Sequence, residues 1–276
     1  DDWALGEPFD SSTDGTGYGQ SYDRYGSSYN PYSKERINEQ MTITPILSPE
    51  TSEDGIIELI NNATSTLYIE QMYIYETLND TILAIIDAKD RGVDVKVILD
   101  DGSEDHNNKS AIILEKHGIP VRILKPNAAE GAYADTQHNK GIIVDGRYTL
   151  ICSINWSPTS IVFNREAGII IDSTSVASYY TTLFNYDWNS AAEFVPSASQ
   201  DDPTPTGFFY SFNTASISGQ MEVDCLAAPD NCFNVVNSLL SNAKESIYIS
   251  VYVLSSPYLL DTLYERLGAG VDIMLI

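Results

Sequence analysis

Two stretches of this chain repeat one another at a nearly constant offset. The first copy contains ATSTLYIEQMYI at 63–74 and KDRGVDVKVIL at 89–99, and the second contains AKESIYISVYVL at 243–254 and RLGAGVDIMLI at 266–276. Tyr248 follows Tyr68 by 180 residues, and Gly270 follows Gly92 by 178. An internal repeat of this kind predicts two copies of one fold. Because the second copy breaks off within its second strand, we expect it to be the front part of an incomplete domain.

The spacing of apolar residues in the first copy alternates between helical and extended periods. Helices are predicted where apolar residues share one helical face, and strands where β-branched and aromatic residues cluster. In chain order the predicted elements are a helix at 53–63, a strand at 66–75, a helix at 77–91, a strand at 93–100, a helix at 107–117 and a strand at 121–125. This alternation predicts an α/β fold built on a largely parallel sheet.

The next part of the chain predicts hairpin-linked strands and then a change of domain. Strands are expected at 141–145, 148–153 and 167–172, with a tight turn at Gly146-Arg147 and a closing helix at 174–190. Pro, Ser and Asp cluster at 196–207, which indicates a linker. We therefore divide the chain into a polar Tyr/Ser/Gly-rich arm at 1–40, a first domain at 41–194, a linker at 195–219 and the start of a second domain at 220–276.

The charge of the chain is strongly one-sided. It has 15 Lys and Arg against 39 Asp and Glu, which gives a formal net charge of -24. Sequence-independent binding of nucleic acid depends on clustered Lys and Arg, and the sequence contains no basic stripe. The charge balance therefore favours a solvated acidic surface over a general nucleic-acid interface. The sequence also has no apolar run near the ~18–20 residues that cross a bilayer.

The cysteines and the first residues bear on the location of the protein. Cys225 and Cys232 are close enough in sequence to form a disulfide, which would leave Cys152 unpaired. The chain starts at Asp1 rather than at a methionine, and its first 40 residues are polar. These features favour an extracellular or cell-surface protein with a Cys225–Cys232 disulfide. In a reducing cytosol the same cysteines would be small apolar residues.

The stretch from His138 to Gly168 carries the candidate chemistry. It contains His-x-Lys-x-x-x-x-Asp, and Ser153, Asn155 and Glu166 follow this motif. Alternation along an extended segment places the side chains of His138 and Lys140 on one face. A phosphodiester reaction needs a nucleophile together with cations and donors around the phosphate oxygens. An imidazole, an ammonium, a hydroxyl and an amide supply this set without a metal or a cofactor.

The motif resembles that of the phospholipase D superfamily, in which His-x-Lys-(x)4-Asp is followed by a Gly/Ser-rich strand and an Asn. The resemblance implies an α/β/α sandwich with a mixed, largely parallel sheet. This fold is duplicated, complete at about 45–190 and truncated at 220–276. It implies that His138 attacks phosphorus and that Lys140 and Asn155 bind phosphate oxygens, with Ser153 close by. The family's usual Gly-Ser is Cys152-Ser153 in this chain.

The resemblance also assigns roles to the two acidic residues of the set. Asp145 would be a structural and electrostatic partner of the catalytic pair, and Glu166 would orient the histidine. His106 lies in a polar sequence and His117 precedes Gly118. We interpret both as surface residues rather than as a second catalytic group.

The family builds its active site from two such motifs, whereas this sequence contains one. The second histidine protonates the leaving group and then activates water. The repeat offset predicts a partner near position ~317 of a longer parent chain. The alternative is a homodimer that brings two copies of His138 together.

The sequence leaves three functions open. The favoured one is a phosphodiesterase that hydrolyses phospholipid or transfers its phosphatidyl group through a phosphohistidine. A nuclease of the same superfamily is the second, which the acidic charge disfavours. The third is a binding module without catalysis, in which the second motif is degenerate.

Overall fold

The computed structural model describes residues 32–101, 104–124, 136–206, 215–228 and 230–276. These residues divide into a large unit, Glu35–Cys225, and a small unit formed by Leu226–Ile276 together with 32–34. Most of the predicted arm at 1–40 lies outside the described residues, as does 207–214 of the predicted linker. No helix in the described part of the chain is long and apolar enough to cross a membrane.

The large unit is built on one mixed sheet. Its strands are β1 (Glu35–Ser48), β2 (Thr66–Gln71), β3 (Asp94–Asp100), β4 (Val121–Leu124), β5 (Lys140–Val144), β6 (Tyr148–Cys152), β7 (Glu166–Asp172), β8 (Ala192–Glu193) and β9 (Ile217–Cys225). Their order across the sheet is β8-β4-β3-β2-β5-β6-β7-β1-β9. Its helices are α1 (Ser52–Asn61), α2 (Asn79–Asp90), α3 (Glu104–Lys116), α4 (Pro158–Val162) and α5 (Thr174–Ser190).

Helices cover both faces of this sheet, so the unit has the α/β/α layers that the resemblance implies. Apolar residues of α1, α2 and α3 share one core with alternate residues of the central strands. On the other face, Ala177 and Phe184 of α5 pack with Ile98 and Ile143 of the sheet. The alternation of side chains along each strand fills both cores from the same segments.

The sheet is mixed, as predicted, but most of its strand pairs are antiparallel, whereas parallel pairs were expected to predominate. Among the described strands of the large unit, only the pairs β2–β3 and β3–β4 are parallel. The pairings of β5, β6 and β7 with their neighbours are antiparallel. Parallel pairing needs a crossover helix, which the first half of the unit supplies, whereas the short turn between β5 and β6 imposes antiparallel pairing.

Two predicted domain limits differ from the structure. The strand β1 begins at Glu35, inside the predicted arm at 1–40, and pairs with β9 over nine residues from Glu35–Cys225 to Ile43–Ile217. The strand β9 therefore belongs to the sheet of the large unit, although 220–276 was assigned to the second domain. Both strands are mostly polar and expose much of their surface, so apolar spacing gives a weak signal for either.

The small unit repeats the first elements of the large unit. It consists of α6 (Cys232–Ser241), β10 (Ser246–Ile249), α7 (Pro257–Gly268) and β11 (Asp272–Leu275). These elements begin 180, 180, 178 and 178 residues after α1, β2, α2 and β3. The strands β10 and β11 pair in parallel, as β2 and β3 do. Gly92 and Gly270 both have positive φ, 90° and 87°, after the second helix of their unit.

The expected disulfide is absent, because Cys152, Cys225 and Cys232 are all free thiols. The side chain of Cys225 is buried in an apolar cluster with Ile37 and Met41 of β1. Burial raises the pKa of this thiol to about 11, so the thiolate that disulfide exchange requires is disfavoured.

Candidate active site

The candidate residues meet at one edge of the large sheet. The parallel strands β2, β3 and β4 end at this edge, and β6 ends there too because it runs antiparallel to β5. The strands β5 and β7 begin at the same edge. Residues just before β5 and β7 and just after β6 are therefore brought together from distant parts of the sequence.

His138 and Lys140 form the centre of the site. The Nζ atom of Lys140 donates a hydrogen bond of 2.6 Å to the backbone oxygen of His138. The histidine is exposed, whereas Lys140 opens β5 and is only 7% exposed. The sequence therefore places a reachable imidazole next to a cation that the sheet holds in position.

The surroundings of this pair lower both of its pKa values. Burial and the charge of Lys140 lower the pKa of His138, and the charge of Asp100 partly opposes them. Burial lowers the pKa of Lys140 to about 8, and its electrostatic interactions with Cys152, Glu166 and Asp100 oppose this shift. At neutral pH these shifts favour a neutral imidazole, the form that can attack an electrophile, beside a lysine that is still protonated.

Ser153 and Glu166 face each other across the ends of β6 and β7. The hydroxyl of Ser153 donates to Oε2 of Glu166 at 3.2 Å, and the side chain of Asn164 donates to Oε1 at 3.0 Å. No hydrogen bond joins Glu166 to His138 in the described part of the chain. The predicted orienting role of Glu166 stays a prediction, while its charge acts on Lys140.

Buried polar atoms without a partner lie near Lys140. Gln71 is opposite Lys140 in the β2–β5 register, and its amide nitrogen and oxygen have no hydrogen-bond partner among the described residues. The same holds for Oδ1 of Asn155 and Nε1 of Trp156, which follow β6. Buried polar atoms are normally satisfied, so a ligand or water at this edge would complete them.

Asp145 does not join this group. It lies at the opposite end of β5, in the turn to β6, with a φ of 54°. Its carboxylate accepts hydrogen bonds of 2.7–3.2 Å from backbone and hydroxyl groups of Thr64, Ser65 and Thr66. Burial opposes ionisation of Asp145, but these bonds outweigh it and hold the pKa well below its usual range.

The turn between β5 and β6 lies one residue earlier than the predicted Gly146-Arg147. Its central residues are Asp145 and Gly146, both with positive φ, and Arg147 donates its N–H to the oxygen of Val144 at 2.9 Å. Two left-handed central residues are typical of a type I′ turn, for which Asp-Gly is a favoured sequence. The motif's aspartate therefore shapes the hairpin and also accepts bonds from the 64–66 segment.

Cys152 replaces the family's usual glycine without disturbing the sheet. It pairs with Gly168 of β7, and a Cβ atom at position 168 would lie 2.5 Å from Cβ of Cys152. Its thiol donates to the backbone oxygen of Lys140 at 3.2 Å, and burial raises its pKa to about 12. A missing side chain at 168 therefore makes room for the one at 152.

Three residues of this edge were not predicted from the sequence. They are Glu70 and Gln71 in β2 and Asp100 at the end of β3, and all three are buried. The signal was the presence of acidic and amide residues inside otherwise apolar strands, in TLYIEQ and DVKVILD. No group of three or more His, Cys, Asp or Glu side chains in the described residues could hold a metal ion.

Residues 56–188 match the family described as cardiolipin synthase, PLD-like domain. The chain is 28% identical over 152 residues to a phospholipase D of Rickettsia bellii, which covers 54% of this chain and 70% of that protein. It is 32% identical over 119 residues to the mitochondrial cardiolipin hydrolase of Mus musculus, which covers 43% of this chain and 46% of that protein.

A solved structure shares the fold of the large unit. Nuc from Salmonella typhimurium, a phospholipase D family member, matches with a TM-score of 0.50 and 22% identity. The match covers 58% of this chain and 99% of Nuc. At this identity the likeness concerns the fold rather than the substrate.

Proposed function

Because the chain belongs to the phospholipase D superfamily, we propose that it is a phosphodiesterase that acts on phospholipid through a phosphohistidine at His138. The observation that carries this proposal is the exposed imidazole of His138 beside the buried ammonium of Lys140. At the same edge, polar atoms of Gln71 and Asn155 have no hydrogen-bond partner among the residues that the structure describes. This arrangement offers a nucleophile and a cation to one phosphate group.

The proposed reaction has two displacements at phosphorus. A neutral ring nitrogen of His138 attacks, a P–N bond forms, and the P–O bond to the alcohol breaks as that oxygen takes a proton. Water then attacks phosphorus, loses a proton and breaks the P–N bond, which regenerates the imidazole. Lys140 stabilises the negative oxygens in both transition states, and an alcohol in place of water would give phosphatidyl transfer.

A general acid is needed for the first displacement, and we propose that it comes from a second copy of the motif. The repeat of α1-β2-α2-β3 as α6-β10-α7-β11 favours a second domain of the same chain as its source. A homodimer that pairs two large units is the alternative source. Light scattering of the purified chain, together with the sequence of its parent gene, separates the two.

The proposed substrate is a phospholipid head group rather than nucleic acid. A net charge of -24 repels a phosphate backbone over a Debye length of about 8–10 Å. The two relatives named above are a phospholipase D and a cardiolipin hydrolase. A nuclease would require a local basic channel within this acidic surface.

The test compares three chains on three substrates without added metal. Wild type, His138→Ala and His117→Ala are assayed with a chromogenic phosphodiester, phospholipid vesicles and single-stranded DNA at two salt concentrations. His117 is the matched control, because its ring is bound to Asp202 at 3.0 Å, outside the site. We expect activity on vesicles in wild type and His117→Ala, and at least about a 10³-fold loss in His138→Ala.

Three other outcomes would change the proposal. Activity that survives in His138→Ala contradicts the phosphohistidine. Salt-sensitive DNA cleavage without lipid hydrolysis supports the nuclease. If wild type is inactive even with its second half-site supplied, the binding module without catalysis is favoured.

An extracellular or cell-surface location is a separate proposal. It rests on the polar composition of residues 1–40, since the Cys225–Cys232 disulfide expected from the sequence is not formed. Fractionation of cells that express the parent gene tests it directly.

A further inference from the structure

Both residues that flank His138 are tied to buried carboxyl groups. The backbone N–H of Gln137 donates to Oδ1 of Asp100 at 2.8 Å, and the side chain of Asn139 donates to Oε1 of Glu70 at 3.0 Å. The oxygen of Asn139 also accepts a bond of 3.1 Å from the N–H of Met72. The segment that carries the exposed imidazole is therefore fixed on both sides of it.

The two carboxyl groups reach this segment because of the sheet. The strands β2 and β3 are parallel neighbours, so Glu70 and Asp100 lie at the same edge. They are only 8% and 3% exposed. Removing a carboxyl group from water is costly unless hydrogen bonds replace its hydration, and the segment 137–139 supplies bonds to both.

Asp100 also acts on the catalytic pair through its charge. Its carboxylate raises the pKa of His138 against burial and against Lys140. It raises the pKa of Lys140 together with Cys152 and Glu166, against burial. Asp100 therefore shifts the pKa of both residues, whereas Cys152 and Glu166 shift only that of Lys140. It adds to the effects that favour the charged form of Lys140 and limits how far His138 loses its affinity for a proton.

We propose that Asp100 and Glu70 are positioning residues for His138, which hold the segment 137–139 in place, and that the charge of Asp100 tunes the pair His138–Lys140. This proposal rests on the proposed role of His138 as the nucleophile. The carboxyl groups do not touch the reacting atoms, and a packing role would require only that their volume be filled.

The principal experiment is an NMR titration of the His138 imidazole in the full chain, which needs no catalytic turnover. Asp100→Asn keeps the size of the side chain and an oxygen acceptor for the N–H of Gln137, but removes the charge. We expect the pKa of His138 to fall, because the carboxylate that favours the protonated imidazole is removed. Asp94→Asn is the matched control, because Asp94 is an exposed aspartate at the other end of the same strand. It should leave the titration unchanged.

A second measurement covers the case in which Asp100→Asn does not fold. Asn139 is exposed, so Asn139→Ala removes the bond to Glu70 without opening the core. We expect the amide of Gln137 to exchange its hydrogen at least about 10-fold faster in this variant. In an active preparation kcat should fall about 10-fold with little change in KM.

The outcomes separate this proposal from the proposed function. An unchanged pKa of His138 in Asp100→Asn overturns the tuning by the charge of Asp100, and unchanged exchange at Gln137 in Asn139→Ala overturns the positioning roles. Both results hold whether or not the chain is active. Hydrolysis that persists in His138→Ala overturns the proposed function instead. The two variants Glu70→Gln and Glu70→Leu separate a hydrogen-bonding role from a packing role. Slow hydrogen exchange at Gln137 that is kept in Glu70→Gln but lost in Glu70→Leu would support hydrogen bonding.

Discussion

The two ends of β5 carry one sequence motif but have opposite properties. At the first end, Lys140 is buried with a lowered pKa, and polar atoms of Gln71 and Asn155 have no partner in the described residues. At the other end, Asp145 accepts bonds from three successive residues, Thr64–Thr66. Buried polar atoms at the first end lack hydrogen-bond partners among the described residues, whereas the carboxylate at the second end accepts several hydrogen bonds. The motif therefore places a reactive residue, Lys140, and a residue that anchors the same strand, Asp145, at opposite ends of β5.

This difference indicates how the fold offsets the loss of stability that a buried lysine causes. A charged lysine in a nearly buried position lowers the stability of the fold. Hydrogen bonds to a charged carboxylate are among the stronger contributions to stability. The anchor at Asp145 fixes the strand that holds Lys140, so the aspartate of the motif can stabilise the fold around the site without contacting a substrate.

The largest expected effect comes from Lys140→Met, which removes the charge at the reactive end but keeps much of the volume. We expect hydrolysis to fall by about 10²–10³-fold or more, because the phosphate oxygens lose their cation. We also expect the folded state to become about 1–2 kcal/mol more stable below pH 8, because no charge is buried. Steady-state kinetics and urea unfolding measure the two effects.

The pH dependence of stability checks the cause of that gain. Below about pH 8 Lys140 is charged in both the folded and the unfolded state, so the free-energy cost of burying its charge is fully present. Between about 8 and 10.5 the folded state loses the proton first, so the stability of the wild type should rise with pH. Lys140→Met should lack this rise, and a parallel rise in both chains would assign it to other groups.

The next effect comes from Asp145→Asn at the anchored end. Asparagine tolerates the left-handed backbone, so this change tests the carboxylate rather than the turn. We expect a loss of about 2–3 kcal/mol in the free energy of unfolding. The stabilisation by Asp145 should be present above about pH 4 and be lost as the pH falls through its lowered pKa.

The control for this change is Asp172→Asn. Asp172 forms an exposed ion pair of 2.5–2.8 Å with Arg147 of the same turn, and its loss should cost about 0–1 kcal/mol. Equal losses in the two variants would contradict the contrast between the ends of β5. Once folded, Asp145→Asn should keep activity within a few-fold of wild type.

The smallest effect concerns the packing beside the reactive end. Gly168→Ala places a Cβ atom too close to Cys152, and we expect it to cost about 1–3 kcal/mol. Adding Cys152→Gly should restore part of this stability, since it removes the closest contact, at 2.5 Å, but leaves those to Cγ1 of Ile46 at 3.1 Å and to the backbone oxygen of Ile151 at 3.3 Å. Additive losses in the double variant would mean that the glycine is required for another reason.

Much of the fold was predictable because apolar spacing reports burial. The helix at 174–190 was predicted with its observed limits, and β3 and β4 were placed within one residue of them. Strand direction was less predictable, since periodicity carries no information on which neighbour a strand will pair with. The polar strands β1 and β9 were missed or misplaced, because exposed edges need few apolar residues.

The site was predictable where its residues are contiguous in a motif. His138, Lys140, Ser153, Asn155 and Glu166 all lie at or beside one edge of the sheet, and their catalytic and binding roles stay predictions. Asp100 and Glu70 could not be assigned from spacing, because their contacts to 137–139 span 37 and 69 residues. Such contacts depend on strand order, which only the folded structure provides.

The pairing of Cys152 with Gly168 restricts the order in which substitutions at these positions can accumulate. A Cβ atom at 168 would lie 2.5 Å from Cβ of Cys152, so a chain with glycine at 152 could acquire cysteine there only while 168 was glycine. With cysteine in place, position 168 is closed to every larger residue, and glycine at 152 would relieve only the shortest of the contacts at 168. A search that demands glycine before Ser153 would overlook chains that took this route, and the residue opposite it in β7 is the place to look for them.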